Sequence, residues 1–365
     1  MDFCKNFPLF SIVICLMGGV LSSALKKKAA RVLSYIIMLL LIAMSVGVLV
    51  YCIQSGESFV YKMGHFPAPW GNEVRAGVLE GMFAVFFSVV MFLAVFSGEK
   101  YLDEDIVTQK GNLYFSLILL LMSSLLALVY TNDIFTGYVF VEINTISAAG
   151  LVAVKNNGRS CVAAVKYMIM SLLGSGLLLI GIIVLYDITG NLLLESIHSA
   201  LGNIITSGNY TVALTIVIAL ITVGLSIKSA LFPFHSWLPD AHSASTISSS
   251  AVLSSLVLKA YIIFLIKIFY RAIGIDVIVK SGVCNVLFVC GIAGMLIGSL
   301  FAAAQEDVKR MIAYSSVAQI GYIFMGLGLG TELGLIAAVY HIFMHGSTKS
   351  MLFMAVGGLK EVSGH

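Results

Sequence analysis

Six titratable side chains stand inside hydrophobic stretches of this sequence: Glu142, Lys228, Lys259, His341, His345 and Lys349. A charged group at the centre of a membrane helix costs about 2.5–3.5 kcal/mol even on lenient insertion scales, so such residues need a partner or a task. Glu142 sits near the middle of IFTGYVFVEINTISAAGLVAV, beside Asn144, Thr145 and Ser147, which can hydrogen-bond nearby. An ionised carboxylate there needs a cation or must take up a proton. Lys228 is the nearest cation of the right type. The two make either a pair whose strength changes as a proton passes, or a static bridge between helices.

Lys228 ends an apolar run just before Phe232-Pro233. Proline removes a backbone donor and breaks the helix. A helix broken at membrane depth is tolerated where it is buried in protein or lines a wet cavity, and broken helices mark ion sites in transporters. His235, Asp240 and His242 lie in or just after this break. They are candidate relay or entry residues, or else a solvated loop. Two prolines between Phe232 and His242 leave no fixed metal geometry for the histidines, so no metal is expected. Lys259 lies well inside the next apolar run, whereas Lys267, near its exit, is expected to snorkel to the interface. His341, His345 and Lys349 recur every fourth residue. At 100° per residue they drift by only about 40° per step, which makes one polar stripe on one helix face. Imidazole titrates near neutral pH, so a His-His-Lys stripe suits a proton relay.

The elements that must position these groups follow from composition. The 365 residues are 59% hydrophobic and 11% charged, with a net charge of +3 and a mean hydropathy of +1.03. The expected class is an all-α polytopic membrane protein with about eleven spans of roughly 20 residues. Continuous apolar runs argue against a β-barrel. The small net charge gives no reason to expect a nucleic-acid partner. Six cysteines without a CxxC pair predict no metal or iron–sulfur site and no other cofactor. The chain reads as one membrane domain over 1–365, with spans 1–3 at 7–96, spans 4–8 at 112–270 and spans 9–11 at 283–365. The seventh span, from about Thr211, breaks after Lys228, and the eighth begins near Ser250. The longest connection, Asp187 to Tyr210, turns at Thr189-Gly190-Asn191. Alternate loops carry Lys26, Lys27, Lys28 and Arg31, then Lys100 and Lys110, Lys155 and Arg159, Lys309 and Arg310, and Lys360. This bias places the N-terminus outside and the His365 end in the cytoplasm of a prokaryotic cell membrane. Glu306 and Asp307 are expected to cap the tenth span, with Lys309 and Arg310 anchoring it at the cytoplasmic face.

The segments PFHSWLPDAH at 233–242, QEDVKRMIAYSSVAQIGY at 305–322 and YVFVEINTISAAGLVA at 138–153 closely resemble the antiporter-like subunits of respiratory complex I, of Mrp cation/proton antiporters and of energy-converting hydrogenases. The resemblance covers the chain from the Phe66–Gly71 region onward. It implies a fold of about fourteen helices with two inverted five-helix repeats, each with a broken helix. It also implies an ion path through a glutamate, a lysine, a second lysine or histidine and a further charged group, roles that map onto Glu142, Lys228, Lys259 and the His341/His345/Lys349 stripe. Partners would be other membrane subunits of such a complex, and the chain is not expected to be catalytic alone. The twelfth span, with its terminal lysine or glutamate, is absent, so the chain reads as a fragment with an incomplete second repeat. Ser245-Thr246-Ile247-Ser248 stands where the family often places prolines, and is expected to straighten the start of the eighth span. The expected function is translocation of protons, or of protons in exchange for sodium. The alternatives are a quinone-associated or a purely structural subunit of a NADH dehydrogenase or hydrogenase complex.

Overall fold

The computed structural model describes residues 2–66, 71–106, 110–207 and 211–363. Pro67–Trp70, within the Phe66–Gly71 motif, lie outside the described residues, as does His365. Helices α1 (Phe7–Ala24) and α2 (Lys27–Ser55) lead into an antiparallel hairpin of β1 (Phe59–Lys62) and β2 (Glu73–Ala76). Then come α3 (Val78–Asp105), α4 (Gly111–Tyr130), α5 (Ile134–Ala153) and α6 (Gly158–Thr189). A short helix α7 (Leu194–Ser207) precedes α8 (Thr211–Lys228), and α9 (Trp237–Ala244) follows the break. Helix α10 runs unbroken over Ile247–Ile273. The chain continues with α11 (Ile275–Lys280), α12 (Val283–Ala303), α13 (Val308–Gly328) and α14 (Glu332–Ser363).

Among the described residues, nine helices are long and apolar enough to cross a membrane. The eleven expected spans include two more, the seventh and the eleventh, which are α8 and α14. The break cuts α8 short, and the histidines and lysine of α14 lower its hydropathy. Helix α8 is thus apolar but short, and only α14 falls out through its titratable groups.

Several boundaries differ from the expectation. The 187–210 connection contains α7, whose Leu194, Ile197 and Leu201 recur on one face and are buried against the end of α10. With no proline at 245–248, α10 begins at Ile247, ahead of the Ser250 start expected. The Thr246 hydroxyl caps it by accepting from the Ser249 amide at 3.1 Å. The membrane-spanning window of α10 is entirely buried. It packs against α3, α4, α8 and α14, so lipid touches little of it.

Close helix approach depends on missing side chains. Helices α6 and α8 meet at Gly174 and Gly224, where a Cβ on Gly224 would lie 2.6 Å from the Gly174 carbonyl oxygen. Small residues permit such backbone contact in bilayers, where lipid supplies no hydrophobic drive for helices to associate. This contact sets the depth at which Lys228 hangs between α5 and α6. A Gly224→Val chain is expected to lose about 1–3 kcal/mol of stability through overpacking, read as a lower melting temperature in detergent, whereas Gly202→Ala, in open space on α7, should raise stability by up to about 1 kcal/mol.

Candidate functional site

The end of α8 is built by its backbone. The Leu231 amide donates to the Ser226 carbonyl at 3.0 Å and the Ala230 amide to the Ile227 carbonyl at 3.2 Å. This pair of bonds is a Schellman closure, with Ala230 in the left-handed region at φ 56°. The Trp237 indole N–H donates to the same Ile227 carbonyl at 3.3 Å. Lys228 is thus the last helical residue, at the negative end of a helix dipole.

Lys228 is buried. Its Nζ lies 3.5 Å from Glu142 Oε1, donates to Thr145 Oγ1 at 2.7 Å, and sits 5.5 Å from the centre of the Tyr261 ring. Glu142 also accepts from Ser175 Oγ of α6. Tyr261 of α10 donates to Asn144 Oδ1 at 3.0 Å. Glu142 and Thr145 come from one face of α5, as their i, i+3 spacing requires. Asp133 starts that helix by accepting from the Thr136 amide at 2.6 Å. Tyr261 and Ser175 had no sequence signal, since each lies in an ordinary apolar run.

A second group lies around α10, α13 and α14. Lys259 is fully buried and donates to the carbonyl of Ser254, five residues earlier in the π-helical turn Leu253–Val257. That turn is wide enough for the side chain to fold back onto its own helix. Lys349 is buried and donates to the Ile312 carbonyl at 3.0 Å and to Ser315 Oγ. His341 shares a hydrogen bond of 2.7 Å with Gln319. Its ring stacks at 6.3 Å on His345, so the expected stripe on α14 exists and faces α13. Both ring nitrogens of buried His345 lack a hydrogen-bond partner among the described residues. No carboxylate lies within ion-pairing distance of Lys259 or Lys349 among the described residues. One proton more or less therefore changes the field throughout this cluster.

The 305–322 segment does more than the capped helix entry expected of it. Asp307 does cap α13, accepting from the Arg310 amide at 3.1 Å, but Ser315 and Gln319 hold the stripe of α14. Polar residues spaced i, i+4 after a cap were the available signal.

The three residues of the break separate. Asp240 is partly exposed and pairs with Lys166 at 2.7 Å and Arg310 at 3.3 Å. It lines an open cavity of about 460 Å³ with Arg159, Ser243 and Asp307. His235 is nearly buried and stacks on Phe232 at 5.5 Å. His242 is fully buried, stacks on Phe353 at 5.0 Å, and has no partner for either ring nitrogen among the described residues. The solvated-loop alternative thus suits Asp240 and not His242. Lys267 corrects a further expectation. It is 5% exposed and does not snorkel. Its Nζ caps the end of α4, donating to the carbonyls of Val129 at 2.8 Å, Leu128 at 3.4 Å and Thr131. Among the described residues no group of three metal-ligating side chains converges.

A polytopic membrane protein with a broken helix and a row of buried ionisable groups is the class this arrangement defines. Residues 131–364 match the family model described as NADH:quinone oxidoreductase/Mrp antiporter, TM, and the chain belongs to that family. It is 36% identical over 311 residues to a NADH-quinone oxidoreductase subunit of Desulforudis audaxviator, an alignment that covers 85% of this chain and 60% of the relative. It is 26% identical over 329 residues to a Na(+)/H(+) antiporter subunit of Alkalihalophilus pseudofirmus, covering 89% and 64%. The chain thus spans only about 60% of the length of such relatives. A chain of the membrane-bound sulfane sulfur reductase, an archaeal respiratory membrane complex, superposes with a TM-score of 0.86 at 27% identity over 99% of this chain and 72% of that one. A chain of the Mrp complex from Dietzia sp. shares the fold, with a TM-score of 0.87 at 24% identity, over 99% of this chain and 65% of that one.

Ala230 offers a test of how the break is held. Relief of the left-handed strain by Ala230→Gly is worth about 1–2 kcal/mol, against about 0.4–1 kcal/mol for the greater freedom of glycine in the unfolded chain. The variant is expected to melt slightly above wild type in detergent.

Proposed function

We propose that this chain is an ion-translocating subunit of a multi-subunit membrane complex, carrying protons, or protons in exchange for sodium. The observation that supports this best is the Glu142–Lys228 pair at 3.5 Å, set at a helix end inside the membrane. Opposite charges on the two groups hold each other, and loss of charge from either weakens the pair. Lys228 then passes its proton inward to the Lys259, His345 and Lys349 group. His235, Asp240 and His242 form the entry, with Asp240 at the open cavity and His242 inside. On this reading the N-terminus lies outside and this entry faces the cytoplasmic side of a prokaryotic cell membrane, which the bias of lysine and arginine among alternate loops supports.

The organisation into helices 1–3, a first five-helix repeat over 112–270 and an incomplete inverted repeat over 283–365 is part of this reading. So is the presence of partners. Glu142 leaves 24% of its side chain exposed on the surface of the bundle, where bare hydrocarbon disfavours a charge. A neighbouring membrane subunit covers it. The names of the relatives, an antiporter subunit and a quinone oxidoreductase subunit, support either an ion gradient or a redox reaction as the driving force.

The test is proton movement in everted vesicles that contain the whole complex, wild type against Glu142→Gln. Sodium or potassium is added first without an electron donor, and a reductant afterwards. Proton movement in the wild type, falling about 100-fold in Glu142→Gln, supports the relay. Equal rates in the two overturn it. A response to sodium alone assigns the antiporter mode, and a response only to reductant assigns the redox-driven one.

A further inference from the structure

Helices α6 and α13 both pack on the short helix α9, and their first turns bound the open cavity of about 460 Å³ that holds Asp240. Its walls carry three cations, Arg159 and Lys166 of α6 and Arg310 of α13, against two carboxylates, Asp240 and Asp307. The carboxylates are already committed. Asp240 serves both Lys166 and Arg310, and Asp307 caps α13. Arg159 has no carboxylate within ion-pairing distance among the described residues. The start of α6 adds to this excess. It is capped by the neutral Asn157 and has no acidic residue in its first turn. The positive end of its dipole therefore meets the cavity at Gly158 without a compensating charge.

Plain anchoring of a helix end by basic residues explains Arg159. It does not explain Lys166, which lies about 12 Å further along the axis of α6 than Gly158 at about 1.5 Å per residue. Lys166 stands on the outer face of the helix, with 56% of its side chain exposed. Beyond it the same face is apolar. Val162, which lines the cavity, and Val165, Ile169, Leu172 and Leu173 are each more than half exposed. Residues at i, i+3, i+4 and i+7 share a helix face, so the cationic recess opens directly onto an apolar strip. Charge above and hydrocarbon beneath match an amphiphile with an anionic head. A soluble anion has no use for the strip, and an apolar partner helix leaves the cations unanswered.

We infer that the cavity between α6, α9 and α13 binds the phosphate of an anionic phospholipid, held by Arg159, Lys166 and Arg310, with an acyl chain along Val165, Ile169 and Leu173. Basic pockets between membrane helices take phospholipid head groups in this way. Arginine offers a planar fork of donors that fits phosphate oxygens, and lysine a mobile point charge. The phosphate shares Lys166 and Arg310 with Asp240, so its arrival loosens two ion pairs of that carboxylate. The site is separate from the buried Glu142–Lys228 pair and from the Lys259–Lys349 group, and the inference stands whether or not the chain moves protons.

The test is native mass spectrometry of the whole complex, released from nanodiscs made of phosphatidylglycerol and phosphatidylcholine in equal parts. The wild type is expected to retain one phosphatidylglycerol that the Arg159→Gln, Lys166→Gln double variant loses, with phosphatidylcholine unchanged. In a titration with phosphatidylglycerol, affinity at this site should fall about fivefold for each cation removed. Arg159→Lys combined with Lys166→Arg, which keeps both charges, should retain the lipid. Equal phosphatidylglycerol counts in wild type and double variant overturn the site. Loss of phosphatidylcholine in the same measure overturns the recognition of an anionic head. Displacement of the lipid by inorganic phosphate assigns a soluble anion and overturns the lipid. If the double variant fails to assemble, Arg159→Gln is measured alone, since it has no ion pair to lose. The same readings then apply, and failure of that variant to assemble assigns the cavity to contact with a protein subunit and overturns the lipid site.

Discussion

Everything around the site depends on holding an ammonium in hydrocarbon at the end of an interrupted helix. Lys228 can stay there because three kinds of stabilisation converge on it. A carboxylate supplies opposite charge, the Thr145 hydroxyl accepts a hydrogen bond, and the closing carbonyls of α8 present the negative end of a dipole. None of these works without the break. A continuous helix would consume the same carbonyls in its own ladder and carry the side chain to a different depth. The close contact of α6 with α8 completes the arrangement, because Ser175 of α6 is the group that orients Glu142.

The second group is of a different kind. Lys259 and Lys349 are held by backbone carbonyls and a serine, with histidines beside them and no carboxylate within reach among the described residues. A paired site resists change, and an unpaired cluster responds strongly to one added proton. In the proposed translocation these would be two unlike stations, one paired and one unpaired. The buried position of α10 matters here. It carries Lys259 and Tyr261, two residues apart, and so presents one polar group to each station. Lys267, farther along the same helix, pins it to α4.

The family resemblance and the chemistry of the side chains point to the same residues for one reason. An ionisable group in an apolar run is conspicuous whatever the fold, and Glu142, Lys228, Lys259, His341, His345 and Lys349 are such groups. The departures between sequence and structure have a common cause too. Distance from the helix end suggests snorkelling for Lys267, because sequence does not show which neighbour's carbonyls lie within reach. The connection at 187–210 hides α7, since a short amphipathic helix at a membrane protein's surface resembles a loop in length. His242 and Asp240, two residues apart, are indistinguishable in sequence, yet one is fully buried and the other opens to a cavity.

By itself the sequence determined the class, the approximate spans, the break at Pro233 and the set of ionisable residues. These depend on local quantities: hydropathy over a bilayer's thickness, the missing amide of proline, and the cost of a charge in hydrocarbon. Only the tertiary structure decided which groups meet. Glu142 and Lys228 are far apart in the chain, Ser254 reaches Ser316 on another helix, and His341 finds Gln319. Such contacts depend on helix crossings set by glycines such as Gly174 and Gly224, on a π turn in α10 and on the left-handed Ala230. Those are properties of packing between segments, and no periodicity within one segment encodes them.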